Sequence, residues 1–220
     1  MRTRFHDRAE AGRVLARNLT HYAGRPDVLV LALPRGGVPV AFEVARVLNL
    51  PLDVFVVRKL GVPGYEELAM GAIASGGVRV LNPTVVESFG IPDAVIDGVA
   101  ERERHELQRR EREYRDVRPA LDVSGRKVIL VDDGVATGST MRAAIEALRQ
   151  LQAGRIIVAT PTIAWSTVNE IQSEADELIA VMRPLDFASV GQWYDDFTQT
   201  SDAEVRTLLE KSEGLKPVLP

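Results

Sequence analysis

Apolar positions in this chain fall into two rhythms. The stretches VLVLAL (28–33), DVFVV (53–57), KVILV (127–131), RIIVAT (155–160) and ELIAVM (177–182) are nearly unbroken apolar runs of strand length. Strands covered on both faces read this way, whereas a half-exposed strand alternates with polar residues. Between them, helical spacing predicts helices over 39–48, 139–151 and about 166–174. The alternation predicts an α/β fold with a central, mostly parallel sheet flanked by helices. A further helix is expected to start near Asp7, which with Glu10 makes a capping box ahead of Leu15 and Leu19.

Two regions break the rhythm. Residues 60–69, LGVPGYEELA, are rich in Gly and Pro and read as a mobile loop, and the Gly76–Gly77 pair between AIAS and VRVL reads as a hairpin turn. From 93 to 118 charges of both signs surround a thin apolar stripe at Val99, Leu107 and Tyr114. That pattern predicts a long amphipathic helix with one narrow buried face, the rest being solvated. The last residues, SEGLKPVLP, read as a loosely held tail.

Composition narrows the classes of function. The chain has 220 residues, 45% hydrophobic and 26% charged, which suits one soluble domain with elaborations. It has no cysteine, so thiolate metal sites, iron–sulfur clusters and cysteine nucleophiles are excluded. A formal net charge of −4 lacks the footprint of a nucleic-acid binder. The charged N-terminus and the absence of a long apolar run predict a cytoplasmic protein without a membrane partner.

The chemistry concentrates in VILVDDGVATGST (128–140), where an apolar strand ends in Asp132 and Asp133. Ligands of open α/β sheets bind at the carboxyl ends of strands. The loop that follows, Gly134, Val135, Ala136, Thr137 and Gly138, leads into Ser139 and Thr140 at the start of a helix. A helix N-terminus with free N–H groups suits a phosphate. Carboxylates beside a phosphate loop fit a ligand that is anionic at one end and hydroxylated at the other, as a sugar phosphate is. A Walker A loop is excluded because no lysine precedes Ser139, and PRGGVPVA does not supply the GxGxxG of a dinucleotide site.

This stretch resembles the signature that type I phosphoribosyltransferases use for 5-phosphoribosyl 1-pyrophosphate (PRPP). The resemblance covers about 28–165, is sharpest at 128–140 and implies that family's fold over a single domain spanning 1–220. Hood or insert elements are then expected from 1–27, 83–124 and 183–210. It implies an enzyme that joins C1 of the PRPP ribose to a nucleobase or related nitrogen nucleophile, with Mg²⁺ and with release of pyrophosphate. Asp132 and Asp133 would hold the ribose hydroxyls and Val135 to Thr140 the 5′-phosphate.

A second anion site is expected after the first core strand, at LPRGG (33–37), where Gly36 and Gly37 let backbone N–H groups approach and Arg35 adds charge. The resemblance implies a cis Pro34–Arg35 bond there. Arg58 and Lys59 close the second strand facing the same rim, and with Arg35 they would stabilise departing pyrophosphate. The 60–69 segment would be the family's closing loop. In FASVGQWYDDF (187–197), Phe187, Trp193 or Tyr194 would stack on the base, and Asp195 would join Asp132 and Asp133 as a metal ligand. Ala136 stands where hypoxanthine–guanine types carry an acid, which leaves the acceptor open. A homodimer is the expected assembly, with the charged helix at 93–118 serving either the hood or the interface. The alternative is a PRPP-binding regulator without catalysis, although no DNA-binding appendage is visible.

Overall fold

The computed structural model describes residues 4–115 and 121–213. Five strands, β1 (Val28–Ala32), β2 (Leu52–Val54), β6 (Lys127–Val131), β7 (Arg155–Thr162) and β8 (Glu177–Met182), form an all-parallel sheet in the order β2-β1-β6-β7-β8. Between β2 and β6 the chain builds an antiparallel sheet, β3 (Val57–Val62), β4 (Tyr65–Ala74) and β5 (Val78–Leu81). The helices are α1 (Arg8–Ala16), α2 (Gly37–Leu48), α3 (Pro83–Ser88), α4 (Asp93–Arg115), α5 (Ser139–Gln150), α6 (Trp165–Glu174) and α7 (Asp202–Ser212).

The apolar runs explain why the parallel sheet is central. In β1, Val28, Val30 and Ala32 point into one core with α1, α2, α4 and α7, while Leu29 and Leu31 point into a second core with α5 and α6. Strands β6 and β7 divide the same way, with Ile129, Val131, Ile157 and Ala159 on the first side and Val128, Leu130, Ile156 and Val158 on the second. Both faces of each strand are thus covered, as the period of two requires.

The order of strands also sets where a ligand can sit. From β1 the chain runs through α2 to β2 on one side, and from β6 through α5 to β7 on the other. The loops leaving β1 and β6 therefore diverge, which opens a crevice above their carboxyl ends.

Three expectations need correction. Residues 60–69 are not a loop: β3 and β4 pair as a hairpin, Val62 with Tyr65, around Pro63 and Gly64. Proline and Gly64 (φ 81°) supply a tight turn rather than disorder, while Leu60, Val62 and Met70 bury the strands. The register breaks only around Gly61. The predicted strand 53–57 is in fact two, because at Phe55 and Val56 the chain leaves the parallel sheet: Phe55 N–H donates to Ala32 O at 2.9 Å, whereas Val56 N–H donates to Ser75 Oγ at 3.0 Å. Arg58 and Lys59 thus lie inside β3, paired with Ile73 and Ala72, on opposite faces of the strand rather than together on one rim.

Other elements follow the pattern. Asp7 caps α1 by accepting from Glu10 N–H at 2.7 Å, and Glu10 Oε2 accepts from His6 N–H at 2.6 Å. Gly76 and Gly77 (φ 83° and 77°) turn β4 into β5. Helix α4 buries Ile96, Val99, Ala100, Leu107 and Tyr114, and its outer face carries pairs such as Arg109 with Glu106 and Glu113. Residues 116–118 of the predicted helix, and most of the predicted tail, lie outside the described residues. Helix α7 was not foreseen, although Ser201 and Glu204 have capping-box spacing and Ser201 Oγ accepts from Glu204 N–H at 3.1 Å. Among the described residues no helix is long and apolar enough to cross a membrane.

Candidate active site

Asp132 and Asp133 leave β6 at the mouth of the crevice, beside the loop that leaves β1. Leu33 N–H extends the β1–β6 pairing by donating to Val131 O at 2.9 Å, which brings residues 34–37 against the acid pair. A Cβ on Gly36 would lie 2.0 Å from Asp133 Oδ2, and one on Gly37 would lie 2.8 Å from Val131 O. Glycine is needed at 36 because any side chain there would run into the Asp133 carboxylate. The Pro34–Arg35 peptide is cis.

The two acids have different surroundings. Asp133 is 9% exposed; its Oδ2 accepts from Arg8 Nε at 2.7 Å, and its backbone carbonyl accepts from the Tyr194 hydroxyl. Asp132 is half-buried, and its Oδ1 accepts from Asp133 N–H at 2.8 Å. Burial, and then the neighbouring Asp133 charge, push the Asp132 carboxyl well above the usual carboxylate range.

The 134–140 loop is held from behind and open in front. Val135 N–H donates to Thr162 O and Ala164 N–H to Val135 O, each at 2.9 Å, while the Thr167 hydroxyl donates to Ala136 O. Gly134 packs so tightly that a Cβ would lie 2.4 Å from Val190 Cγ1. Gly138 turns into α5 with φ 74°. Thr137 and Ser139 are exposed, with their hydroxyls 3.2 Å apart, and Thr140 lies in the first turn of α5. The first N–H groups of α5 have no intrahelical acceptor, and with the neighbouring hydroxyls they make a donor set of the kind that can hold an anion.

The cations are less concentrated than the sequence suggests. Arg35 is half-buried, with Nη1 3.8 Å from Asp202 Oδ2, and Asp202 also accepts from the Tyr114 hydroxyl. Arg58 pairs with Glu103 of α4, at 2.6 Å from Nη2 and 2.8 Å from Nε. Lys59 is exposed. Glu103 was missed, yet it occupies a position of the α4 stripe at which the 96–100–107–114 spacing calls for an apolar residue. An acid on a buried stripe signals a cationic partner on the element packed against it.

The aromatic segment divides as well. Phe187 and Trp193 are half-buried, with ring centres 6.0 Å apart. Tyr194 is only 3% exposed and packs between Phe5 and Phe197 at 5.7 and 5.2 Å. It therefore braces Asp133 from below and offers no face for stacking. Asp195 is exposed, and its N–H donates to Phe5 O at 2.8 Å. Among the described residues no group of three or more His, Asp and Glu could hold a metal ion. A cleft of about 240 Å³ opens beside Arg8, lined also by Asp196, Thr198 and Glu204. A larger groove of about 660 Å³ between α5 and the antiparallel sheet meets this site only at Ser139.

Known proteins place this arrangement in a family. A phosphoribosyl transferase domain model matches residues 3–182. The Mycobacterium tuberculosis protein Rv0571c, whose name assigns it provisionally to the phosphoribosyl transferases, is 47% identical over 208 residues, covering 94% of this chain and 47% of its own. This chain thus spans about half the length of that relative. A "Bifunctional protein PyrR" of Caldicellulosiruptor saccharolyticus is 30% identical over 99 residues, covering 43% of this chain and 54% of its own. Among solved structures, TT1426 from Thermus thermophilus superposes with a TM-score of 0.85 at 43% identity, covering 94% of this chain and 98% of that one. With a domain model matched over most of its length, this chain belongs to the phosphoribosyltransferase family.

Proposed function

We propose that this chain binds PRPP and transfers its 5-phosphoribosyl group to a nucleobase or related nitrogen nucleophile, releasing pyrophosphate. The observation that carries the reading is the placement of an acid pair, Asp132 and Asp133, directly beside the open N-terminus of α5 at the switch point of the sheet. A ribose 5-phosphate fits that pairing: the acids accept from ribose hydroxyls, and the donors of 137–140 take the phosphate. The pyrophosphate would then lie toward Gly36, Gly37 and Arg35 on the β1 loop.

The reaction is a substitution at C1. The bond from C1 to the pyrophosphate oxygen breaks with its electron pair leaving on pyrophosphate, the acceptor nitrogen supplies the pair for the new bond, and its proton passes to solvent. Positive charge grows on the ribose while negative charge leaves, so Arg35 at the leaving end contributes electrostatically. One such oriented donor is worth about 3 kcal/mol. The two loops supply the rest by fixing both ends of the sugar. Mg²⁺ usually binds through one or two carboxylates plus substrate phosphates, and this donor set, lacking a cage, fits an ion that arrives with pyrophosphate beside Asp132. Such an ion would neutralise charge on the leaving group.

Pyrophosphate release from PRPP, measured across purines, pyrimidines and other nitrogen nucleophiles, tests transfer. Release that depends on one acceptor supports the reading. Silence across a broad panel, in a protein that still binds PRPP, would leave binding without chemistry.

Arg58 reaches pyrophosphate only by leaving Glu103. Both side chains are about one-third exposed, at 30% and 27%, so their pairing is worth about 0.5–1 kcal/mol after solvent screening. Glu103→Gln is therefore expected to tighten pyrophosphate binding by about two- to fivefold. Unchanged or weaker binding would mean that Arg58 does not serve the anion.

A further inference from the structure

Arg8 belongs to neither loop of the site. It is the first residue of α1, where a cation opposes the helix dipole, and yet its side chain is only 11% exposed. Both facts point to a partner outside the helix, and the structure shows three. Nε donates to Asp133 Oδ2 at 2.7 Å, Nη1 donates to Thr198 O at 2.8 Å, and the guanidinium lies 3.9 Å from the centre of the Phe197 ring.

These contacts hold Asp133 in one direction. Oδ2 is fixed between the Arg8 guanidinium and the Gly36 backbone, and the carbonyl of the same residue is fixed by Tyr194. Among the described residues no N–H donates to Oδ1. The carboxylate is thus half engaged and half presented. The same guanidinium also holds residues 197–198, which follow closely on the aromatic pair Phe187 and Trp193.

We propose that Arg8 is a positioning residue: it aims Asp133 Oδ1 at a ribose hydroxyl and ties that carboxylate to the 197–198 segment beneath the acceptor side. The proposal rests on the PRPP reading given above. The planar guanidinium suits this task, because its fixed fork donates to Asp133 and to Thr198 O while its face lies over the Phe197 ring, and an ammonium has neither the fork nor a face to stack.

The test is titration calorimetry of PRPP with Mg²⁺ on the full chain, comparing wild type, Arg8→Ala, Arg8→Lys, Asp133→Asn and the Arg8→Ala/Asp133→Asn double variant. Arg8→Ala is expected to weaken PRPP at least about tenfold, and Arg8→Lys to restore only part of the loss. In the Asp133→Asn background, removing Arg8 is expected to cost less than about twofold, because its effect passes through that carboxylate. Wild-type affinity in Arg8→Ala, or a full tenfold further loss in the double variant, would overturn the role. If Arg8→Ala does not fold, Arg8→Gln, which keeps a donor and most of the stem, is held to the same outcomes. A wild type that ignores PRPP would instead remove the functional reading itself, and this role with it.

Discussion

Replacing Asp132 and Asp133 together by asparagine is expected to weaken PRPP binding by more than about 100-fold. Each acid would accept from a ribose hydroxyl, and a hydrogen bond to a charged group contributes about 1.5–3 kcal/mol. Losing two therefore removes about 3–6 kcal/mol. The effect should fall unequally on the two positions. Asparagine at 133 also removes the charge that Arg8 faces at 2.7 Å, leaving a buried cation with a neutral partner, which is costly. Asp133→Asn should accordingly lower the melting temperature more than Asp132→Asn. Calorimetry and thermal melting of the single and double variants check both statements, and a double variant with undiminished PRPP affinity would remove the sugar-hydroxyl assignment.

Gly36→Ala is expected to be nearly as damaging, although it adds a single methyl. That methyl would lie 2.0 Å from Asp133 Oδ2 and 2.7 Å from its Cγ. The carboxylate cannot swing aside freely, because Arg8 and Tyr194 hold its residue at both ends. Either the ion pair breaks or the 34–37 loop lifts, and overpacking of this kind costs about 1–3 kcal/mol. For a chain of this size that corresponds to a fall in melting temperature of about 2–12 °C. A displacement of about 1 Å at the acid pair would lower the transfer rate about 100-fold. Gly98→Ala supplies the contrast. A Cβ there meets nothing within 4 Å, so the change on α4 should stabilise by about 0.5–1 kcal/mol. Equal melting temperatures for the two variants would show that the loops are not packed as described.

The parallel sheet was legible because burial on both faces leaves a plain signature, and the crevice was legible because Asp132, Asp133 and the 134–140 loop are contiguous. What sequence reading missed depends on distance along the chain. Arg8 and Asp133 are 125 positions apart, and no local period connects them; the one local sign was a cation in the first turn of a helix. Glu103 likewise reads as one more charge in a charged helix until its place on the stripe is counted. The 60–69 hairpin was misread for a different reason. Gly and Pro signal a turn, but Leu60 and Val62 already alternated as a strand does, and the turn chemistry was extended over residues that pair. Tyr194 shows the limit of composition: a ring beside acids suits a stacking platform or a buried brace equally well, and only packing between Phe5 and Phe197 decides it.

If the acid pair and the N-terminus of α5 together take PRPP, thermal melting of the wild-type chain with PRPP and Mg²⁺ must register it. A ligand that binds only the native state stabilises it by about 2.7 kcal/mol at 100 times its dissociation constant. The expected result is a melting temperature that climbs steadily with PRPP, and much less with ribose 5-phosphate, which lacks the group that the β1 loop would hold. No shift at millimolar PRPP would contradict it.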